Sequence, residues 1–204
     1  MTAGGRGLTL CIIGVVLSTA ACAGPRGREP ATTINALTYP EAFGVTLLHL
    51  VSSNPQRQET GWRMCDAIIL NALLTKAVKT CVYSPRPHPY GEDKHAFPSG
   101  HASFACAVAA SLGEREPSSR WIAFPLAAAA AWARESNQKH SWEQVVGGAV
   151  IGTFVGHLAG QGKLRLLGHR DRAPVPPPPC AAELENPAHE VGPASQLAVW
   201  GTSF

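Results

Sequence analysis

Glycine recurs at positions 148, 152, 156 and 160, four residues apart, within a largely apolar stretch. On a helix of about 3.6 residues per turn this period lays all four along one face. A face without side chains lets a second backbone approach closely. The segment from Ser141 to Gly160 therefore predicts a helix pressed tightly against a neighbour, and the five alanines Ala127 to Ala131 offer a smooth surface for it. In lipid the same pattern would be a small-xxx-small interface. No stretch after residue 24 supplies the ~20 uninterrupted apolar residues of a membrane span, so the expectation is close packing in a soluble bundle.

The rest of the chain reads as more helices. Apolar residues at helical spacing begin near Glu41 and run through Phe43, Val45, Leu47, Leu48 and Val51. A longer helix is expected from Gly61 to Val82 with Thr60 as N-cap; Arg63, Asp66 and Lys76 interrupt it, and Pro85 and Pro87 end it. Further helices are expected from Ser99 to about Leu112 and from Trp121 to Arg134, with Pro125 in the first turn or at a kink. With 204 residues this makes one all-α domain, 41–170. Residues 23–40, rich in Gly, Pro, Arg and Thr, read as a flexible tether. Residues 171–204, with Pro176 to Pro179, read as an extended tail.

The N-terminus reads as an export signal. Arg6 precedes an apolar run from Leu8 to Leu17, followed by small residues up to Cys22. Cleavage near Ala21 or Ala23 would release the domain, whereas lipidation of Cys22 would hold it on a membrane. Export would permit disulfides among the four cysteines that remain beside Cys22, namely Cys65, Cys81, Cys106 and Cys180, though buried free thiols fit Cys65 and Cys106 equally well. A net charge of +3, with no basic run, excludes nucleic acid as a partner.

Chemistry is concentrated in three clusters. Lys79 and Arg86-Pro87 stand at a helix end, Pro98-Ser99-Gly100-His101 at a helix start, and Arg134 lies six positions before His140. Arginine offers planar bidentate donors to a tetrahedral oxyanion, and lysine a movable charge. Ser99 adds a hydroxyl, and Gly100 lets a ligand reach the backbone of a helix N-terminus. Two histidines over such an anion site can divide attack on phosphorus from protonation of the leaving oxygen. No acidic cluster suggests a metal, so the cations themselves must offset the transition-state charge. His157 has no assigned role, and Tyr90, Asp93, Lys94 and His95 read as a surface loop near the site.

The order Lys-x6-Arg-Pro, Pro-Ser-Gly-His, Arg-x5-His resembles the signature of the PAP2 (phosphatidic acid phosphatase type 2) superfamily, over about Gly61 to Gly160. The resemblance implies a helical bundle of the PAP2/vanadium haloperoxidase type. It also implies metal-independent hydrolysis of phosphomonoesters or lipid phosphates. Lys79, Arg86, Ser99, Gly100 and Arg134 would then bind phosphate, with His140 as nucleophile and His101 as general acid. The same pocket in a vanadate-dependent peroxidase would hold vanadate on His140. Two positions depart from the pattern: Ala133 replaces a serine, and Gln144 replaces the aspartate that accepts the Nδ1 proton of the nucleophilic histidine. Gln144 is expected to orient His140 through its carbonyl, with Glu143 as a charged substitute at i+3. Loss of the aspartate also raises a third possibility, a catalytically impaired phosphate-binding protein of the envelope.

Overall fold

The computed structural model describes residues 29–87 and 94–167. The export segment, Cys22, Tyr90, Asp93, Cys180 and the Pro-rich tail lie outside the described residues. Among the described residues five helices form an all-α bundle: α1 (Glu29–Leu50), α2 (Pro55–Cys81), α3 (Gly100–Arg115), α4 (Arg120–Ser136) and α5 (Trp142–Gly160). A 3₁₀ turn, Pro117–Ser119, joins α3 to α4.

The first helix begins well before Glu41, inside the segment expected to be a tether. Pro40 removes one backbone donor in mid-helix, and the threonines are weak helix formers. Packing outweighs both. Ala31 and Thr38 are buried, and the side-chain amide of Asn35 donates to the carbonyl of Ala133 on α4 at 3.2 Å. The Thr38 and Thr46 hydroxyls turn back onto carbonyls one turn earlier, which lets these polar residues sit inside. The second helix also starts early. Asn54 is its N-cap, accepting from Gln56 N–H at 2.9 Å, and Pro55 occupies the first turn, where its missing N–H does no harm. Thr60, expected as the cap, lies one turn inside and bonds to the Gln56 carbonyl.

The central helix is α3, which packs on all four others and is buried along most of its length. Met64, Phe104, Val108 and Leu112 form the main core, with Tyr39, Ala42, Val45, Ile68 and Ala123 packed around it. The glycine stripe does face a smooth surface, but not the alanines of α4. A β-carbon on Gly148, Gly152, Gly156 or Gly160 would run into the backbone of Ser99, Ser103, Ala107 or Ser111 respectively. Those partners are themselves four residues apart, so two small-residue rows of matching period lie together along α3 and α5. The alanines pack elsewhere: Ala127 with Cys106 and Ala109, and Ala131 with Ala102 and Val145. Opposite the glycines, Trp142, Val146, Val150 and Phe154 are exposed. Among the described residues no helix is long and apolar enough to cross a membrane.

Cys65, Cys81 and Cys106 are free thiols. Burial pushes the Cys106 thiol up to about 11, against a smaller opposing hydrogen bond from Thr153, so it behaves as a small core hydrophobe. His157 is half-exposed and meets Glu114 at 3.2 Å.

A titrating pair ties α1 to the end of α3. Buried His49 donates from Nδ1 to the Val45 carbonyl at 2.8 Å, and its Nε2 meets Glu116 Oε1 at 3.1 Å. Burial pulls its pKa down, but the bonds to Glu116 and Val45 outweigh this and the net shift is upward from 6.5. The bond from His49 holds Glu116 below its ordinary 4.5. The histidine's contribution is therefore complete below about pH 6.5 and lost as pH rises through its elevated folded value. The carboxylate's contribution is present above about pH 4.5 and lost as pH falls through its lowered one. Urea-unfolding midpoints should accordingly decline from pH 6 to pH 9, and this decline should be smaller in His49→Gln.

Candidate active site

Every cluster singled out in the sequence lies at one end of the bundle, on helix termini and the turns between them. Lys79 ends α2, and the segment after it, carrying Arg86, is tied to the strand-like stretch leading into α3. Ser84 N–H donates to the Lys94 carbonyl, and Ala96 N–H donates to the Ser84 carbonyl, both at 2.8 Å. Lys94 and His95 thus hold the site's frame through their backbone. The Lys79 ammonium donates to the carbonyls of His95 and Ala96 at 3.3 and 3.2 Å.

The spacing from Arg134 to His140 has a local cause. The end of α4 closes through a turn in which Gln138 adopts a left-handed φ of 56°, and the Arg134 carbonyl accepts from the N–H groups of Lys139 and His140. This reversal brings His140 back beside the arginine, where its side chain is buried.

Gln144 joins three parts of the site. Its Oε1 lies 3.1 Å from His140 Nδ1 and accepts the Ser141 N–H at 3.2 Å, closing a capping box on α5. Its Nε2 donates to Ser84 Oγ and to the Pro85 carbonyl, both at 2.9 Å. Its own carbonyl accepts the Ser99 N–H at 2.8 Å. These partners settle which way the amide faces: the Pro85 carbonyl can only accept and the Ser141 N–H can only donate. The oxygen therefore faces His140, and the imidazole proton sits on Nδ1, leaving Nε2 with its lone pair. An aspartate here would reach His140 with charge but could donate to neither Ser84 nor Pro85. Glu143, the expected charged substitute, is exposed and makes no bond to His140.

The electrostatics are one-sided. Burial, then Arg134, with smaller effects of Arg86 and Lys79, pull the His140 pKa down to about 4 despite the bond from Gln144. Burial, Arg134 and Arg86 bring His101 to about 4 as well. Burial and Arg86 also hold Arg134 below its usual value. Both histidines are thus neutral at pH 7, beside three cations. Two polar atoms here are buried without a protein partner: the hydroxyl of Ser99, the N-cap residue of α3, and Nε of Arg134. A Cβ on Gly100 would find only the Tyr39 hydroxyl, at 4.0 Å, leaving the start of α3 open to a ligand. The unpartnered Ser99 hydroxyl and Arg134 Nε, a helix N-terminus and the gathered cations are together complementary to a tetrahedral dianion. Among the described residues no group of three or more His, Cys, Asp or Glu is placed to hold a metal.

Sequence reasoning missed the wall supplied by α1. Tyr39 packs against His101 with ring centroids 4.4 Å apart and planes tilted by 57°, and its hydroxyl lies 3.5 Å from His101 Nδ1. Nothing in the local sequence marks it, because the contact depends on α1 folding back over α3.

The family model described as the PAP2 superfamily matches residues 60–163, which include all three clusters and Gln144. Among solved structures, the crystal structure of Aquifex aeolicus LpxE is similar, with a TM-score of 0.57 and 23% identity over 73% of this chain and 94% of that one. That likeness shows a shared helical fold.

Proposed function

Since the chain belongs to the PAP2 superfamily, we propose that this member is a metal-independent phosphatase acting through a phosphohistidine at His140. The observation that carries this reading is the His140–Gln144 pair: a buried imidazole, protonated on Nδ1, with Nε2 free among three cations. Lys79, Arg86, Arg134, the Ser99 hydroxyl and the N–H groups opening α3 at Gly100 bind the phosphoryl oxygens. His140 Nε2 attacks phosphorus, the P–O ester bond breaks, and protonated His101 gives its proton to the leaving oxygen. Water, giving a proton to His101 as base, then attacks phosphorus; the P–Nε2 bond breaks, releasing phosphate and neutral His140. A bound dianion offsets the arginine charges that depress His101, raising its pKa toward the range where it can act as an acid.

The substrate class is a phosphomonoester or lipid phosphate. Half-exposed Trp132 and Trp142 flank the turn that carries His140, which suits a substrate with an apolar portion. An export signal at Leu8 to Leu17 would put this activity outside the cytoplasm, with Cys22 as an attachment point if it is lipidated. The test is hydrolysis of an aryl phosphate, then of dispersed lipid phosphates, with EDTA and vanadate in parallel. Activity surviving EDTA and lost to vanadate supports the proposal; sensitivity to EDTA, or silence on both substrates while phosphate binds, contradicts it.

Gln144→Ala should lower turnover about 100-fold with little change in phosphate affinity. The carbonyl sets the tautomer of His140 and touches no ligand; loss of an analogous charged partner in a serine-protease triad costs about 10⁴. Glu143→Ala should leave turnover within about twofold. Equal effects of the two substitutions would show that Gln144 does not orient the histidine.

A further inference from the structure

We propose that Tyr39 is a positioning residue for His101, its hydroxyl pairing with Nδ1 and leaving Nε2 as the nitrogen that exchanges protons with substrate and water. This inference rests on the phosphatase reading, and it draws on a helix outside the span that the family model matches.

The placement is built rather than incidental. The Tyr39 ring is clamped between His101 and Phe104, with centroids 4.4 and 4.7 Å away, and Phe43 backs Phe104 at 5.3 Å. One turn earlier on the same face of α1, Asn35 donates to the Ala133 carbonyl, beside Arg134. The two residues lock α1 onto the ends of α3 and α4 that carry the general acid and an arginine. The hydroxyl distance of 3.5 Å is long, as catalytic hydrogen bonds often are before a ligand tightens the site.

A phenol suits this post because its oxygen can accept from Nδ1–H in both states of the ring. In neutral His101 the proton sits on Nδ1 and is donated to Tyr39 Oη, so Nε2 carries the lone pair. When Nε2 takes up a proton, Nδ1–H keeps that bond while Nε2–H faces the leaving oxygen. Proton release from Nε2 then leaves a neutral ring still held through Nδ1–H. The charged groups facing His101 are Arg86, from the segment after α2, and Arg134, from α4; both disfavour its protonated form. Tyr39 is the neighbour that can accept from that form. A hydrogen bond to a charged group is worth more than one to a neutral group, so removing the hydroxyl should make His101 harder to protonate.

The experiment uses the full chain and Tyr39→Phe, which keeps the ring and removes the hydroxyl. With inorganic phosphate saturating, NMR titration of His101 should give a lower pKa in the variant than in the wild type. In turnover, kcat for phenyl phosphate should fall about tenfold with KM unchanged, and the loss should shrink to about twofold for dinitrophenyl phosphate, whose leaving group needs no proton. Tyr39→Leu, which also removes the ring packing, should show the same leaving-group pattern with a further loss common to both substrates. An unmoved His101 titration, or equal kcat losses on the two esters in Tyr39→Phe, would overturn the proposal. The titration needs no turnover, so it decides the role of Tyr39 even if the phosphatase reading itself fails.

Discussion

His140→Ala should reduce aryl phosphate turnover by about 10⁴-fold or more while leaving phosphate affinity within about threefold. Removing the nucleophile of a covalent mechanism leaves only what binding and charge stabilisation supply, and losses of this order are usual. Affinity should survive because, in the mechanism proposed, the phosphate donors are other residues: Lys79, Arg86, Ser99 and Arg134. Removal of a neutral imidazole also leaves the surrounding charge unchanged, since burial and Arg134 hold His140 near 4. Turnover would be followed with phenyl phosphate and affinity by phosphate protection against thermal unfolding, which scales with ligand concentration over Kd. If the variant kept a tenth of wild-type turnover, the nucleophile would have to lie elsewhere.

The second large effect concerns the joint between α3 and α5 that holds Ser99 and Gln144 together. Alanine in place of a helical glycine ordinarily gains about 0.5–1 kcal/mol from helix propensity. At Gly152 the new β-carbon would overlap the carbonyl of Ser103, and backbone cannot move aside as a flexible side chain can. Overpacking of this kind costs about 1–3 kcal/mol, occasionally more. Gly152→Ala should therefore be destabilised by about 1–2 kcal/mol, and Gly152→Leu should fail to fold at 37 °C. Gly44 on α1 has nothing within 4 Å of its would-be β-carbon, so Gly44→Ala should be stabilised by about 0.5–1 kcal/mol. Opposite signs for one substitution at two sites, read from urea midpoints, test the packing directly. A neutral Gly152→Ala would mean that the two helices are not in backbone contact.

Much of this was legible in the residues because local rules set it. The period-four glycines predict close helix contact, the cluster spacings place cations and histidines at helix termini, and the Pro-Ser-Gly-His run opens a helix where expected. What escaped depends on contacts between distant segments. The glycine stripe has its partner in Ser99, Ser103, Ala107 and Ser111, a row that reads as ordinary helix until a neighbour of the same period lies against it. Residues 29–40 look like a tether because Pro40 and the threonines lower helix propensity; only burial against α3 and α4 makes them a helix, and with that helix comes Tyr39. Gln144 reads as a loss when compared with an aspartate. Its partners at Ser84 and Pro85, some sixty positions away, show what the amide gains: two donors that bind the arginine-bearing segment to the histidine it orients.

A covalent phosphohistidine at His140 can be trapped chemically. Enzyme mixed with excess phenyl phosphate would be quenched within milliseconds in alkali, where phosphohistidine persists, then digested and mapped by mass spectrometry. Phosphate is expected on the peptide containing His140, located on its imidazole, rising with the first turnover and absent from His140→Ala. Steady turnover with no phosphorylated peptide, or with phosphate on a different residue, would contradict a covalent mechanism through His140.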